Sequence, residues 1–313
     1  MLRYTLRSLG GILSVVFLLS LFTFVMARAI PGGPWDVAGN KGTLTEHQIN
    51  VFKAKYGLDK PVLEQYLVWL RNAVTLDFGS PYMAPEMSVT ELILKQLPYS
   101  ALVGGLAATF AVVVGIILGM IAAARQNTWI DIAINSFAVI IGTVPGFVLG
   151  FVLAYYFGAK LHWFPTGGWQ NEPKYIVLPV LAFGIPAIGG VARWTRQCIV
   201  EAMSSDYVRT AYSKGVRQTG VIVRHVLRNA AIPMITSFLP MFPAMMTGSV
   251  FIERTFGIPG LGQYFVQSSM SRDYPLVTGI TIFWALLISI TYLVTDILYG
   301  IIDPRVRLEG KKR

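Results

Sequence analysis

Residues 96–124 read QLPYSALVGGLAATFAVVVGIILGMIAAA, 29 positions without one charged side chain. An α-helix rises about 1.5 Å per residue and needs about 20 apolar residues to cross about 30 Å of hydrocarbon. This stretch is long enough to do so. It does not alternate with period 2, so it reads as a helix and not as a barrel strand. Five further uncharged runs repeat the pattern: 9–27, 132–159, 175–192, 229–252 and 274–295. The run 175–192 is the shortest and holds Pro179 and Pro186, so it is the one most open to a break. The pattern predicts an all-α integral membrane protein with six transmembrane helices.

The composition points the same way. Of 313 residues, 54% are apolar and 13% are charged. A soluble domain carries about 25% charge, so too few charged groups exist to coat a water-exposed surface of this size. The single cysteine, Cys198, excludes an intrachain disulfide and a multi-cysteine metal site. The net charge of +10 resembles a nucleic-acid signal, but its distribution argues otherwise. With the N-terminus inside, the cytosolic pieces are 1–8, 125–131, 193–228 and 301–313. They hold 15 of the 26 basic residues and 5 of the 16 acidic ones, leaving 11 of each elsewhere. The whole excess sits on one side, as the positive-inside rule requires. Both termini are therefore expected in the cytosol, and no nucleic-acid partner is expected. The first run is longer than the roughly 7–15 residues of a signal-peptide core, so an uncleaved first helix is expected.

The chain divides by pattern into an N-terminal end with the first helix (1–30), an extracytoplasmic segment (31–95), a membrane core (96–302) and a basic tail (303–313). The segment 31–95 opens on the turn cluster Pro31-Gly32-Gly33-Pro34. A helix is expected to start at Thr45-Glu46-His47-Gln48 and end near Tyr56-Gly57. A second is expected over Leu63 to Val74, where apolar residues recur at helical spacing. Together they read as a small helical cap lying on the bundle.

Catalytic chemistry is missing from this pattern. There is no G-x-x-x-x-G-K-[ST], H-E-x-x-H or C-x-x-C, and His47, His162 and His225 lie on different segments, so neither nucleotide nor metal is expected on this chain. Gly257, Gly260 and Gly262 stand in the wrong order for a dinucleotide loop and, with Pro259, read as a tight turn. Asp296, near the inner end of the last run, is either an ion-coupling carboxylate or an interfacial acid paired with Arg305 or Arg307. Gly142, Gly146 and Gly150 share one helix face, as do Gly115 and Gly119. These faces serve either packing within the chain or a subunit interface. Pro145, Pro186, Pro240 and Pro243 free backbone carbonyls inside the runs, so these four and Gly146 are candidates for a translocation path.

The long basic stretch between the fourth and fifth runs carries the functional signal. Val208, Ala211, Tyr212 and Val216 recur at 3–4 residue spacing, while Arg209, Lys214 and Arg217 lie off that stripe. A loop-borne amphipathic helix with glycine punctuation either docks on a soluble partner or lies on anionic lipid.

Asp206-Tyr-Val-Arg-Thr-Ala-Tyr-Ser-Lys-Gly215, followed by Arg224-His-Val-Leu-Arg-Asn-Ala230 and Pro233, resembles the EAA loop of ABC importer permeases in its oligopeptide and dipeptide variant. Tyr56-Gly-Leu-Asp-Lys-Pro61, Asp77-Phe-Gly79, Leu161 to Trp169, Glu253 to Gly262, Arg272-Asp-Tyr-Pro275 and Ile302-Asp-Pro304 resemble further motifs of that family in the same order, so the resemblance spans almost the whole chain. Two positions depart from the common pattern: Tyr212 and Ser213 stand where the branch often has Arg-Ala.

The resemblance implies the type I ABC importer permease fold with a helical insertion after the first helix, and the first of two peptide-type permease subunits. It implies a second homologous permease, two cytosolic ABC ATPase subunits that bind ATP and Mg, and an extracytoplasmic substrate-binding protein. The setting would be the inner or plasma membrane of a bacterium or archaeon. It assigns ATPase coupling to Asp206, Tyr207, Arg209, Thr210, Ala211, Lys214 and Gly215, within a loop spanning 193–230. It assigns the binding-protein face to Glu253, Phe256, Pro259, Arg272 and Asp273. Relatives of this kind carry peptides, nickel chelates, glutathione or sugars, so the substrate stays open. A self-contained secondary transporter coupled through Asp296 is the alternative.

Overall fold

The computed structural model describes residues 2–29, 32–36, 45–82, 84–170, 172–215, 218–221 and 226–302. Val216, Arg217, Arg224, His225 and the tail from Asp303 onward lie outside the described residues, as do the side chains of Tyr212 and Asp296. Every regular element among the described residues is helical. In order they are α1 (Leu2–Ala29), α2 (Glu46–Lys55), α3 (Val62–Val74), α4 (Val89–Ala124), α5 (Trp129–Thr143), α6 (Gly146–Leu153), α7 (Lys174–Met203), α8 (Asp206–Ser213), α9 (Gln218–Val221), α10 (Leu227–Phe238), α11 (Met241–Met246), α12 (Val250–Phe256), α13 (Leu261–Met270) and α14 (Tyr274–Ile302). A π-helical segment, Ala154–Lys160, continues α6.

Five stretches are long and apolar enough to cross a membrane: Gly10–Ala29, α4, α7, Leu227–Met246 and Tyr274–Thr295. The remaining apolar stretch is bent. Trp129–Thr143 and Gly146–Lys160 meet at 93°. The cause is local. A proline pushes the residue before it out of the helical region, and Val144 has φ −76°, ψ 121° immediately ahead of Pro145. The fourth stretch, flagged by its prolines as most open to a break, is instead one 30-residue helix through both Pro179 and Pro186.

The fifth run is also corrected. The uncharged stretch 229–252 is not one helix, because the span ends at Met246. Gly248 turns the chain in the left-handed region at φ +93°, and Ser249 caps α12, its hydroxyl accepting from the Ile252 amide at 3.4 Å. Small turn residues carry no charge, so hydropathy does not register the break.

The chain forms two compact units, Met1–Tyr99 with Pro259–Ile290 and Ser100–Ile258 with Thr291–Arg313. The first contains the two helices expected between 45 and 74. Thr45 and Gln48 cap α2 reciprocally: the Gln48 amide donates to the Thr45 hydroxyl, and the Thr45 amide donates to the Gln48 side chain at 2.8 Å. Ser88 and Glu91 form the same box ahead of α4. The core of this unit is Phe78, Val89, Leu92, Ile93, Leu261, Leu276, Ile280 and Ile282.

The second unit is built around α7. In lipid, helices gain little from hydrophobic burial and associate by close van der Waals packing, which small residues permit. Gly115 of α4 faces Val191, and Gly119 faces Ala192 and Thr195. Gly146 of α6 faces the Ala182 carbonyl oxygen, where an added Cβ would stand 3.1 Å away. Pro186 has no amide to offer that carbonyl, so the neighbour can approach it. The Gly115–Gly119 face therefore packs within the chain, whereas Gly142 lies in α5 across the bend from Gly146 and Gly150 in α6, so these three do not share one helix face.

Candidate functional site

Helix α8 leaves α7 after a tight turn in which the Ser204 amide donates to Val200 and the Val208 amide to Ser205 at 3.1 Å. Its apolar stripe points inward. Val208 is 2% exposed and Ala211 6%, and they pack with Cys198 and Ile199 of α7, Val221 and Val226, and Ala230 and Met234 of α10. This anchors α8 to the ends of two long helices and turns the opposite face out. On that face Tyr207, Arg209, Thr210, Lys214 and Gly215 are exposed. Asp206 is fully exposed and lies 4.0 Å from Arg209, both with solvated side chains. Gly215 ends the element at φ +76°, with open space around its α-carbon. Of the seven residues proposed for coupling, six therefore lie on the outer side and Ala211 belongs to the seat beneath them.

A buried ion pair braces this region. The Arg196 guanidinium of α7 donates twice to Asp131 at the start of α5, at 2.5 and 2.6 Å. Asp131 also accepts from the Asn127 amide at 3.0 Å and the Asn135 side chain at 2.7 Å. Its side chain is 5% exposed. The charge pattern places Asp131 and Arg196 on the same membrane side but gives no sign that they pair.

The residues assigned to a binding-protein face divide differently. Glu253 is 1% exposed and Phe256 2%. The Ser100 hydroxyl donates to Glu253 at 2.7 Å, and the absent side chain of Gly248 leaves room for that carboxylate. Phe256 packs over Gly150, and its carbonyl accepts from the Gly168 amide at 2.7 Å. This contact joins the Leu161–Trp169 loop to the Glu253–Gly262 loop. Asp273 is buried as well. A side chain with no accessible surface offers nothing to a docking protein, so these three shape the loops from within. Pro259 and Arg272 are partly exposed. Arg272 stands 3.6 Å from Asp36 and donates to the Gly33 carbonyl, holding the turn that starts at Gly32. Beside that turn Phe52, Tyr56, Tyr82 and Tyr274 form a chain of edge-on and tilted rings. Burial pushes the Tyr82 phenol well above its ordinary range, so it stays neutral.

Of the pathway candidates, Pro145 sits at the 93° bend and is exposed, Gly146 and Pro186 lie where α6 meets α7, and Pro240 and Pro243 lie at the start of and within α11. The structure brings Gly146 and Pro186 together and makes no single cluster of all five. Among the described residues no group of histidine, cysteine or carboxylate side chains could hold a metal ion.

Among the described residues the chain has five helices long and apolar enough to cross a membrane, one bent pair and a loop helix seated on span ends, the features of an integral membrane protein. Residues 115–308 match the family described as "Binding-protein-dependent transport system inner membrane component", and residues 1–100 match its N-terminal companion. The chain belongs to this permease family. It is 37% identical over 311 residues to the dipeptide transport system permease protein DppB of Bacillus subtilis, covering 99% of this chain and 100% of the relative. It is 37% identical over 308 residues to the oligopeptide transport system permease protein OppB of Haemophilus influenzae, covering 98% and 100%. A solved structure described as inward-facing conformations of the MetNI methionine ABC transporter superposes with a TM-score of 0.53 at 14% identity, covering 68% of this chain and 96% of that one. That likeness concerns the fold alone.

Proposed function

We propose that this chain is the non-catalytic permease subunit of an ATP-driven importer for peptides. It would form half of the translocation path with a second, homologous permease. Two cytosolic ATPases would dock on α8, and an extracytoplasmic binding protein would deliver substrate. The observation that carries the reading is the 37% identity, end to end, with a dipeptide permease. Similar identity to an oligopeptide permease supports peptides as the substrate class and leaves their length open.

The geometry of α8 supports the coupling role. A lever must be rigid at its base and accessible at its tip. Val208 and Ala211 supply the base, and Asp206, Tyr207, Arg209, Thr210 and Lys214 the tip. The secondary-transporter alternative is not favoured by the family assignment, and the Asp296 side chain on which it rests lies outside the described residues.

The test is purification of the tagged chain in gentle detergent, followed by peptide-stimulated ATP hydrolysis. A second six-span permease and P-loop ATPases should co-purify. Reversing charge in the pair of variants Arg209→Glu and Lys214→Glu should weaken ATPase retention about tenfold, equivalent to about 1.4 kcal/mol. Recovery of the chain alone, still transporting peptide, would refute the proposal.

A further inference from the structure

Helix α3 follows the first span in sequence and packs directly on it. The Tyr66 and Ser20 hydroxyls share a hydrogen bond of 2.9 Å. The Phe24 ring meets Tyr66 edge-on at 5.1 Å and Trp69 at 6.0 Å. Arg28 donates to the Gln65 side chain at 2.8 Å and lies over the Phe24 ring at 3.6 Å. The spanning stretch of α1 ends at Ala29. At 1.5 Å per residue, Phe24 lies about 8 Å and Ser20 about 14 Å inside that end. A helix whose side chains meet those positions is not standing above the membrane in water.

The exposed surface of α3 agrees with that depth. At 100° per residue, Leu63, Leu67, Leu70 and Val74 fall within about 60° of one another, next to the face that carries Tyr66, Trp69 and Ala73. Leu63 is 70% exposed, Leu67 56% and Val74 79%. Gln65 and Asn72 fall on the opposite face. The neighbouring surface of α1 is of the same kind, with Leu18, Phe22, Val25 and Met26 exposed along a stretch long and apolar enough to cross the bilayer. Interfacial helices combine an apolar face sunk about 5–10 Å past the headgroups with a polar face turned to water.

From this juxtaposition we infer that α3 is an interfacial helix, with Leu63, Leu67 and Val74 inserted among the acyl chains of the leaflet at the C-terminal end of α1. On the orientation proposed above this is the outer leaflet. The segment 45–74 is then a membrane-anchored platform and not a cap suspended in the periplasm or outside medium. The inference needs α1 to cross the bilayer and does not depend on the transported substrate.

Spin labels would test it. In a Cys198→Ser parent, which supplies the blank, labels are placed by Leu63→Cys, Leu67→Cys, Val74→Cys and Asn72→Cys. The full chain is purified with its accompanying subunits and reconstituted in vesicles of phosphatidylcholine and phosphatidylglycerol. Collision with oxygen, which concentrates in lipid, is compared with collision with a water-soluble nickel chelate. Positions 63, 67 and 74 should favour oxygen several-fold over position 72. Nickel preference at those three positions would overturn the inference in favour of an aqueous cap. Low collision with both reagents would overturn it in favour of a covering protein subunit.

Discussion

Arg196 and Arg209 carry the same charge and should respond differently to its removal. Arg196 holds a carboxylate whose side chain is 5% exposed. Removing one partner of a fully buried pair leaves an uncompensated charge and costs about 3–5 kcal/mol, and this pair, with Arg196 25% exposed, should lose a smaller but still substantial part of that. Arg209 stands in solvent, 4.0 Å from an equally solvated Asp206, and such pairs contribute about 0–1 kcal/mol. Arg196→Ala should therefore lower the thermal unfolding temperature in detergent sharply, while Arg209→Ala should leave it near that of the parent. Arg196→Lys should recover only part of the loss, because an ammonium lacks the two-pronged geometry. Equal shifts for the two alanine variants would show that the Asp131 pair is not a structural brace. Glu253 teaches a related lesson at the same scale. Its motif was legible and its exposure was not, because burial depends on Ser100 and Gly248, the first of which is distant in sequence.

Among the elements, the helices built on strong local signals were readable: Thr45 through Gln48 announces α2, and the spacing from Leu63 to Val74 announces α3. The membrane helices were readable as apolar length but not as shape. Uncharged turn residues hid the break after Met246, and prolines alone did not distinguish the break at Pro145 from the unbroken run through Pro179 and Pro186. α7 continues through both prolines and packs on α5, α6 and α10, where adjacent glycines play unequal parts. Gly189 lies against the Ala138 carbonyl of α5, so that even a methyl group would overlap the oxygen, whereas Gly190 has open space. Overpacking of this kind costs about 1–3 kcal/mol or more. Gly189→Leu should reduce the yield of folded, monodisperse protein, and Gly190→Leu should be tolerated although it adds the same side chain one position on. Size-exclusion profiles after expression would compare them. Indifference to Gly189→Leu would show that α5 and α7 are not in contact.

For the molecule as a whole, the number of spans hangs on the bent pair. If α5, α6 and the π-helical segment together cross once, the chain has six spans and the excess positive charge lies on one face; if they re-enter, it has five and that charge map fails. The Asp131–Arg196 pair favours the first arrangement, since it places the start of α5 beside the end of α7 that leads into α8. Single cysteines at exposed positions in a Cys198→Ser parent separate the two with a membrane-impermeant maleimide. His47→Cys and Gln170→Cys should label in intact cells. Gln126→Cys and Lys214→Cys should label only after permeabilisation. The decisive comparison is Gln126 with Gln170, which bracket the bent pair. Labelling from opposite sides makes it a span and keeps both termini in the cytosol, whereas labelling from the same side makes it a re-entrant hairpin and would put α8 across the membrane from the N-terminus, leaving the proposed ATPase contact without a partner.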